Sequence, residues 1–217
     1  MSEKTDTMPR STYRHGNLKQ ALLNAGLDLA REHGPAGVVL REATRRAGVA
    51  FSAAYRHYAG QRDLLDAVRA AALSEVARTM EIELSALGAP DSSPEYARSS
   101  LRAIGAGYLR FARAEPGLFR TAFVIPFVLE DKTPYSAAGE SGQDPFQLLG
   151  AALDCMQAAG LLPSDQRPQA EFLAWSAVHG MAMLMLDGPL RNHPEEELGI
   201  LSKRLLAMVE RGLQEGC

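Results

Sequence analysis

Apolar residues recur at helical spacing almost from the start of the chain. Leu18, Leu22, Ala25 and Leu29 predict a first helix, which Gly34, Pro35 and Gly37 stop. Leu40, Ala43 and Ala47 predict a short second helix closed by Gly48. A third spans 51–58, with Ala54 and Tyr58 as an inward i, i+4 pair, and Ala59-Gly60 breaks it. A long helix over 62–84 carries Leu64, Leu65, Val68, Leu73 and Val76. Residues 88–94, GAPDSSP, read as a linker. Leu101, Ile104, Tyr108, Leu109 and Phe111 predict an amphipathic helix ending before Pro116. Residues 117–127 are apolar and read as short-helical, and 130–144, rich in Gly, Ser, Pro and acid, as a long loop. Helices over 145–159, with Pro in the first turn, and 167–186, capped by Asp165 or a neighbour, follow. Gly188-Pro189 breaks the chain again before a last helix over 195–214, whose first turn holds Glu195, Glu196 and Glu197 as the helix dipole favours. With no strand alternation and no internal repeat, the pattern predicts an all-α fold of about nine helices.

The helix around Trp175 is apolar on two sides. Phe172, Trp175, His179, Met183 and Leu186 form one stripe, and Leu173, Ala177, Gly180 and Leu184 another. A helix with one wet face needs only one stripe, so two imply burial within the subunit and against something more. Ala177 and Gly180 are small enough for a close helix approach. The last helix adds a seam of Leu198, Leu201, Leu205, Met208 and Val209. Two readings fit: a homodimer in which each subunit gives two helices to a four-helix interface, centred on Leu173, Ala177, Gly180, Leu184, Leu201, Leu205 and Met208, or the ordinary core of a monomer.

Composition narrows the class. The chain has 217 residues, 46% hydrophobic and 23% charged, enough for one or two globular domains. Its net charge is -3, but the distribution is uneven: ten Lys and Arg face five Asp and Glu through residue 62, against 13 and 21 in the rest. A basic head on an acidic body suits a phosphate-seeking element joined to a different kind of domain. Cys155 and Cys217 make no disulfide framework, the first residues lack an apolar signal core, and no apolar run reaches the roughly 20 residues needed to span a bilayer. A cytoplasmic protein without membrane contact is expected. Gly105-x-Gly107 lies mid-helix with no strand before it and so is no dinucleotide fingerprint. G-x-S-x-G, H-E-x-x-H and C-x-x-C are absent, and five scattered His with two distant Cys do not form a metal site. Neither enzyme chemistry nor a cofactor is expected.

The most informative stretch is 39–58, VLREATRRAGVAFSAAYRHY: two short helices around Gly48-Val49, the second carrying Tyr55-Arg56-His57-Tyr58. A short helix polar and basic on one side, braced by another across a Gly turn, suits the DNA major groove. Together with LKQALLNAGLDLAREHG before it and DLLDAV after it, this stretch resembles the N-terminal domain of tetracycline-repressor-type (TetR family) transcriptional regulators. YRHGNL resembles an arm found in one branch of that family. Ala174 to Gly180, AWSAVHG, resembles the Trp-His-Gly signature of one group of its C-terminal domains.

The resemblance implies a homodimeric, all-helical regulator of double-stranded DNA whose C-terminal domain binds a small molecule. By position, Tyr55 and His57 match phosphate contacts, and Phe51, Ser52, Ala53 and Arg56 match residues near base edges. Val39, Ala50 and Gln61 depart from the pattern, each removing one polar or charged contact; Arg62, Arg41, or Arg10 and Arg14 of the arm are placed to compensate. Arg56 suits guanine O6 and N7 or a phosphate. Phe51 suits a thymine methyl or a local staple. Arg41, Arg45 and Arg46 read either as a solvated face or as a basic face of which at least one is expected on the DNA backbone.

The C-terminal part offers Tyr108, Phe111, Phe119, Phe123, Phe127, Met156, Trp175, His179 and Met183 as candidate lining for an apolar ligand pocket, although such a stripe is more often plain core, and His179 also suits a hydrogen bond across a dimer or, more commonly, a structural role. The expected organisation is an arm at 1–15, a helix-turn-helix domain at 16–62, a connecting helix at 63–86, and a ligand-binding and dimerisation domain at 95–217. The expected function is a repressor released from a palindromic operator by a small apolar or amphipathic ligand. The alternatives are a DNA-binding regulator answering to a protein partner, and a helical interaction module or enzyme with a vestigial head.

Overall fold

The structure is a computed structural model that describes residues 18–123 and 137–215. The arm with Arg10 and Arg14, Phe127, Cys217 and the first part of the 130–144 stretch lie outside the described residues. Nine α-helices and no strand occur among the described residues.

Helix α1 (Leu18–His33) buries Leu22, Ala25, Gly26, Leu29 and Ala30 on one face. Gly34, at φ 66, ends it, its N–H donating to Ala30 O at 2.8 Å. The Pro35–Gly37 stretch is more than a stop: it winds into one 3₁₀ turn that feeds α2 (Leu40–Arg46). Gly48, also at φ 66, makes the sharp turn to α3 (Phe51–Ala54). This helix is shorter than the predicted 51–58. After one turn the chain tightens, His57 N donating to Ala54 O at 2.9 Å, and turns inward. Burial of Tyr58 accounts for this: its ring is sequestered and its hydroxyl donates to Lys19 O at 3.2 Å, tying the end of the motif to the start of α1. Ala54 is buried beside it.

Helix α4 (Gln61–Ser85) is about 37 Å long at 1.5 Å per residue. Its first half packs Leu64 and Val68 against α1, and its second half sends Val76, Ala77 and Met80 into the C-terminal helices. Helix α5 (Pro94–Ala114) starts well before Leu101, because Ser93 in the linker accepts from Tyr96 N at 3.0 Å and Pro94 takes the first position. Gly107 lets α5 lie against α4, since a Cβ there would sit 2.5 Å from Met80 Cα. Helix α6 (Pro116–Ala122) follows at once. Helix α7 (Pro145–Ala158) opens on a capping box in which Asp144 Oδ1 accepts from Gln147 N and Gln147 Oε1 accepts from Asp144 N.

Helix α8 (Ala170–Leu186) begins three residues later than expected and is not capped by Asp165. Arg167 is drawn instead to Asp154 at 2.7 Å and Glu171 at 2.8 Å, and Gln169 enters the helix at φ 63. The burial of α8 also departs from the two-stripe reading. Its buried row is Ala170, Ala174, Val178, Met181, Ala182 and Met185, a third face, and of the two predicted stripes Leu186 alone is buried. Trp175, Ala177 and His179 are half-buried; Phe172 and Met183 are exposed, as are Leu173 (66%), Gly180 and Leu184 (44%). That row packs within the bundle formed with α5, α7 and α9, which leaves Phe172, Leu173, Met183 and Leu184 outside the core of one chain. Helix α9 (Glu195–Glu215) half-buries Leu201 and Leu205 and exposes Met208 (55%). Among the described residues its one buried charge, Glu210, faces Arg102 and Arg98 of α5.

Candidate DNA-binding surface and ligand-facing cluster

Helix α3 and the turn after it present their side chains outward because Ala54 and Tyr58 take the inward positions. Phe51 is 43% exposed and Tyr55 51%, the two rings meeting edge to face at 5.1 Å. Ser52, Arg56 and His57 are exposed, and Ala53 half-buried. Val39 and Ala50 occupy the N-cap positions of α2 and α3, and neither supplies a capping side chain.

The basic residues divide into two sets. Arg45 is paired with Glu42 at 2.6 Å, and Arg46 grips Glu32 through two 2.7 Å bonds while touching Glu42 at 3.3 Å. The Arg45 guanidinium, assisted by Arg46, holds the Glu42 carboxyl down at about 2. Arg46 thus ties α2 to α1 across the exposed surface. Arg41 and Arg56 are exposed and carry no ion pair among the described residues, and Arg62 stands 90% exposed with Asp66 4.0 Å away. The Glu42 spacing to Arg45 and Arg46 was legible as i, i+3 and i, i+4. The Glu32 contact, 14 residues away, was not.

In the C-terminal half, Tyr108 of α5, Phe119 and Phe123 of and just after α6, and Trp175 and His179 of α8 meet in one cluster. Tyr108 lies 5.3 Å from Phe119 and 5.6 Å from Phe123, and His179 lies within 5.3 to 6.4 Å of Tyr108, Phe119, Phe123 and Trp175. Phe146 of α7, not foreseen, extends it through contacts with Phe172 at 5.4 Å and Trp175 at 6.1 Å. Phe111 and Met156 are core residues, as Tyr108 and Phe119 of the cluster also are, but Phe111 makes no ring contact with the cluster among the described residues, and Met183 is exposed.

The polar atoms of the cluster are ordered. Trp175 Nε1 donates to the Tyr108 hydroxyl at 3.1 Å, and that hydroxyl lies 2.8 Å from His179 Nδ1. Burial pushes the Tyr108 phenol up and His179 down from 6.5, so the imidazole is held neutral. The consequence for stability has a definite sign. A His whose folded pKa is depressed binds its proton more readily unfolded, so its contribution is complete above about 6.5 and is lost as pH falls through the folded value. Thermal unfolding at pH 7.5 and pH 5 is expected to show a larger acid drop for the native chain than for His179→Phe; equal drops would remove His179 from the balance.

Among the described residues no His, Cys, Asp and Glu group is arranged to hold a metal, and no helix is long and apolar enough to cross a membrane.

Three solved structures share the fold at low identity. A protein of unknown function from Rhodococcus sp. RHA1 is 24% identical with a TM-score of 0.72, over 95% of this chain and 100% of that one. A TetR-family transcriptional regulator from Streptomyces coelicolor is 20% identical, TM-score 0.56, over 90% and 98%. PfmR, a TetR family transcriptional regulator from Thermus thermophilus, is 16% identical, TM-score 0.54, over 90% and 96%. No curated protein matches the chain by sequence. Two family descriptions do: "Bacterial regulatory proteins, tetR family" over residues 22–68, which holds the helix-turn-helix, and "Tetracyclin repressor-like, C-terminal domain" over residues 101–209, which holds the aromatic cluster. The chain therefore belongs to the TetR family of transcriptional regulators.

Proposed function

We propose that this regulator acts as a homodimeric repressor on a palindromic operator. The observation that carries the reading is the outward set on α3 and its turn: Phe51, Ser52, Tyr55, Arg56 and His57 are free of the fold's own core, and Arg41 and Arg62 stand exposed beside this motif with little or no internal pairing. Tyr55, His57, Arg41 and Arg62 meet phosphates; Arg56, Phe51, Ser52 and Ala53 meet base edges. Two such surfaces enter successive major grooves about 34 Å apart. Residues 16–62 form the DNA-binding unit, 63–86 the connecting helix and 95–217 the effector and dimer unit. Site selection from random DNA, followed by gel shift across a salt series, tests this. A two-fold-symmetric site bound with a steep salt slope is expected; no sequence preference would overturn it.

The dimer uses the apolar faces of α8 and α9 that one chain leaves open, with Leu173, Gly180, Leu184 and Met208 exposed beside half-buried Ala177, Leu201 and Leu205. A Cβ at Gly180 meets nothing within 4 Å, which leaves room for a partner helix. Leu184→Glu is expected to convert the protein from dimer to monomer in sedimentation and to abolish tight operator binding with the helical content unchanged. A variant that remains dimeric would place the interface elsewhere.

A small molecule in the aromatic cluster releases the operator. Helix α6 supports this coupling: Phe119 belongs to the cluster, Ala122 O accepts from Arg69 Nε of α4 at 3.2 Å, and Gly117 rests on the end of α1. The ligand acts only through its different affinity for the two head spacings. Candidate ligands are ranked by their effect on operator gel shifts.

A further inference from the structure

The cluster holds a donor whose direction is set by its neighbours. An indole N–H can only donate, so the Tyr108 oxygen accepts from Trp175 Nε1 at 3.1 Å. The Tyr108 proton then has His179 Nδ1, 2.8 Å away, as its acceptor. Were Nδ1 to carry a proton as well, two donors would meet the hydroxyl oxygen and the phenol proton would be buried without a partner, a costly arrangement in a residue only 3% exposed. The imidazole is therefore the Nε2–H tautomer, and Nε2–H has no acceptor among the described residues. Its ring is held by Phe119, nearly parallel at 5.8 Å and 27°, and by Phe123 and Trp175 edge-on at 5.3 and 5.9 Å. His179 is half-exposed, as are Trp175 and Phe123.

We propose that His179 Nε2–H is the orienting donor of a small-molecule site whose wall is Phe119, Phe123, Phe146 and Trp175, and that the site takes a flat, neutral aromatic molecule bearing a carbonyl or comparable hydrogen-bond acceptor. This rests on the effector reading above and names its ligand class. Among the described residues Phe119, Phe123 and Trp175 bring no charged side chain to His179, and only Phe146, at the edge of the wall, adjoins Asp154, Arg167 and Glu171. An ion beside the imidazole would lose its hydration with no counter-charge at hand. A neutral imidazole adds no such counter-charge, and burial keeps His179 neutral. A pure hydrocarbon would leave Nε2–H without a partner, whereas an acceptor satisfies it, so the site discriminates by one hydrogen bond.

Trp175 is the only Trp in the chain and lies in the wall, so its emission reports the site directly. The full-length protein is titrated with 2-acetonaphthone and with 2-ethylnaphthalene, which share a shape and differ in the carbonyl. The ketone is expected to bind about ten-fold tighter, or about 1.4 kcal/mol. His179→Phe is expected to bind both equally, and Tyr108→Phe, which leaves the donor but frees the tautomer, to fall between. If His179→Phe binds neither probe, His179→Gln, whose amide restores a donor, is expected to recover the preference, and its failure would count against the site. The proposal is overturned by equal binding of the two probes to the native chain, by a ketone preference that survives His179→Phe, or by Trp175 emission that ignores both probes. Emission that instead changes on diluting the protein without probe would mean that a second copy covers this wall, and would overturn it too. Operator gel shifts without probe test the regulator separately. A ketone that binds but does not release the operator leaves the site standing and removes only the effector role.

Discussion

Arg56→Ala is expected to reduce the preference for the selected operator over random DNA by about ten- to hundred-fold per half-site, with random-sequence affinity nearly unchanged. A bidentate Arg–guanine contact discriminates by about 1–3 kcal/mol, whereas a phosphate contact contributes alike to every sequence. The structure makes Arg56 a clean probe, because it is exposed and has no internal ion pair among the described residues, so its removal leaves no stranded partner. Phe51 needs a finer experiment. Its ring braces Tyr55 at 5.1 Å, so Phe51→Ala is expected to disturb the phosphate contact proposed for Tyr55 as well as any base contact. Replacing single thymines of the site by deoxyuridine removes only the methyl. One such replacement is expected to weaken the native protein about five-fold and Phe51→Ala not at all. Tyr55→Phe and His57→Ala supply the contrast, weakening all DNA and lowering the salt slope by about one for each phosphate no longer engaged. If Arg56→Ala and Phe51→Ala keep the native site preference, base reading lies in other residues, although the family assignment is untouched.

These expectations lean on parts of the chain that the sequence exposed to different degrees. Helix ends marked by local chemistry were readable: Gly34 and Gly48 both adopt φ 66, and α4 and α9 lie within one residue of their predicted bounds. What depended on distant partners was not. Helix α3 is cut short because Tyr58 is pulled to Lys19 O, 39 residues away, and no local pattern carries that. Helix α8 is apolar on three faces, so periodicity could not tell which one enters the core, and the bulky residues drew the eye from the Ala174, Val178 and Ala182 row that is buried. Of the nine candidate ligand residues, Tyr108 and His179 are 71 positions apart, and only the fold shows that they share a hydrogen bond while Phe111 and Met156 stay in the core. The basic face divides in the same way, leaving Arg41 exposed. Arg45 and Arg46 count toward the positive charge of the head, yet Glu42 and Glu32 hold them.

Gly117→Ala is expected to lower the melting temperature by about 4–8 °C and, well below that temperature, to weaken operator binding about ten-fold. The added Cβ would lie 2.3 Å from Ala30 O, 2.5 Å from Arg31 O and 2.9 Å from Arg31 C. All three are backbone atoms at the end of α1, so no rotamer change relieves the clash and the helices must part. Overpacking of this kind costs about 1–3 kcal/mol, and in a chain of this size about 2 kcal/mol shifts the midpoint by those few degrees. The effect on DNA follows from position. Helix α6 contacts α1 at Gly117 and the aromatic cluster at Phe119, so displacing its first turn is expected to shift α1, and the head with it, without altering a residue of the proposed recognition surface. Arg31, which reaches Glu115 at 3.4 Å, sits at the same joint. Two controls separate stability from coupling. At Gly107 a Cβ would clash with the backbone of Met80 and Thr79, far from the head, so Gly107→Ala is expected to lower the melting temperature and spare operator affinity once folded. At Gly212 an added Cβ meets nothing within 4 Å, so Gly212→Ala is expected to be neutral or slightly stabilising, by up to about 1 kcal/mol. A Gly117→Ala protein that melts early but grips its operator normally would show that α6 carries load and not signal, and the path from ligand to DNA would then run through α4 alone.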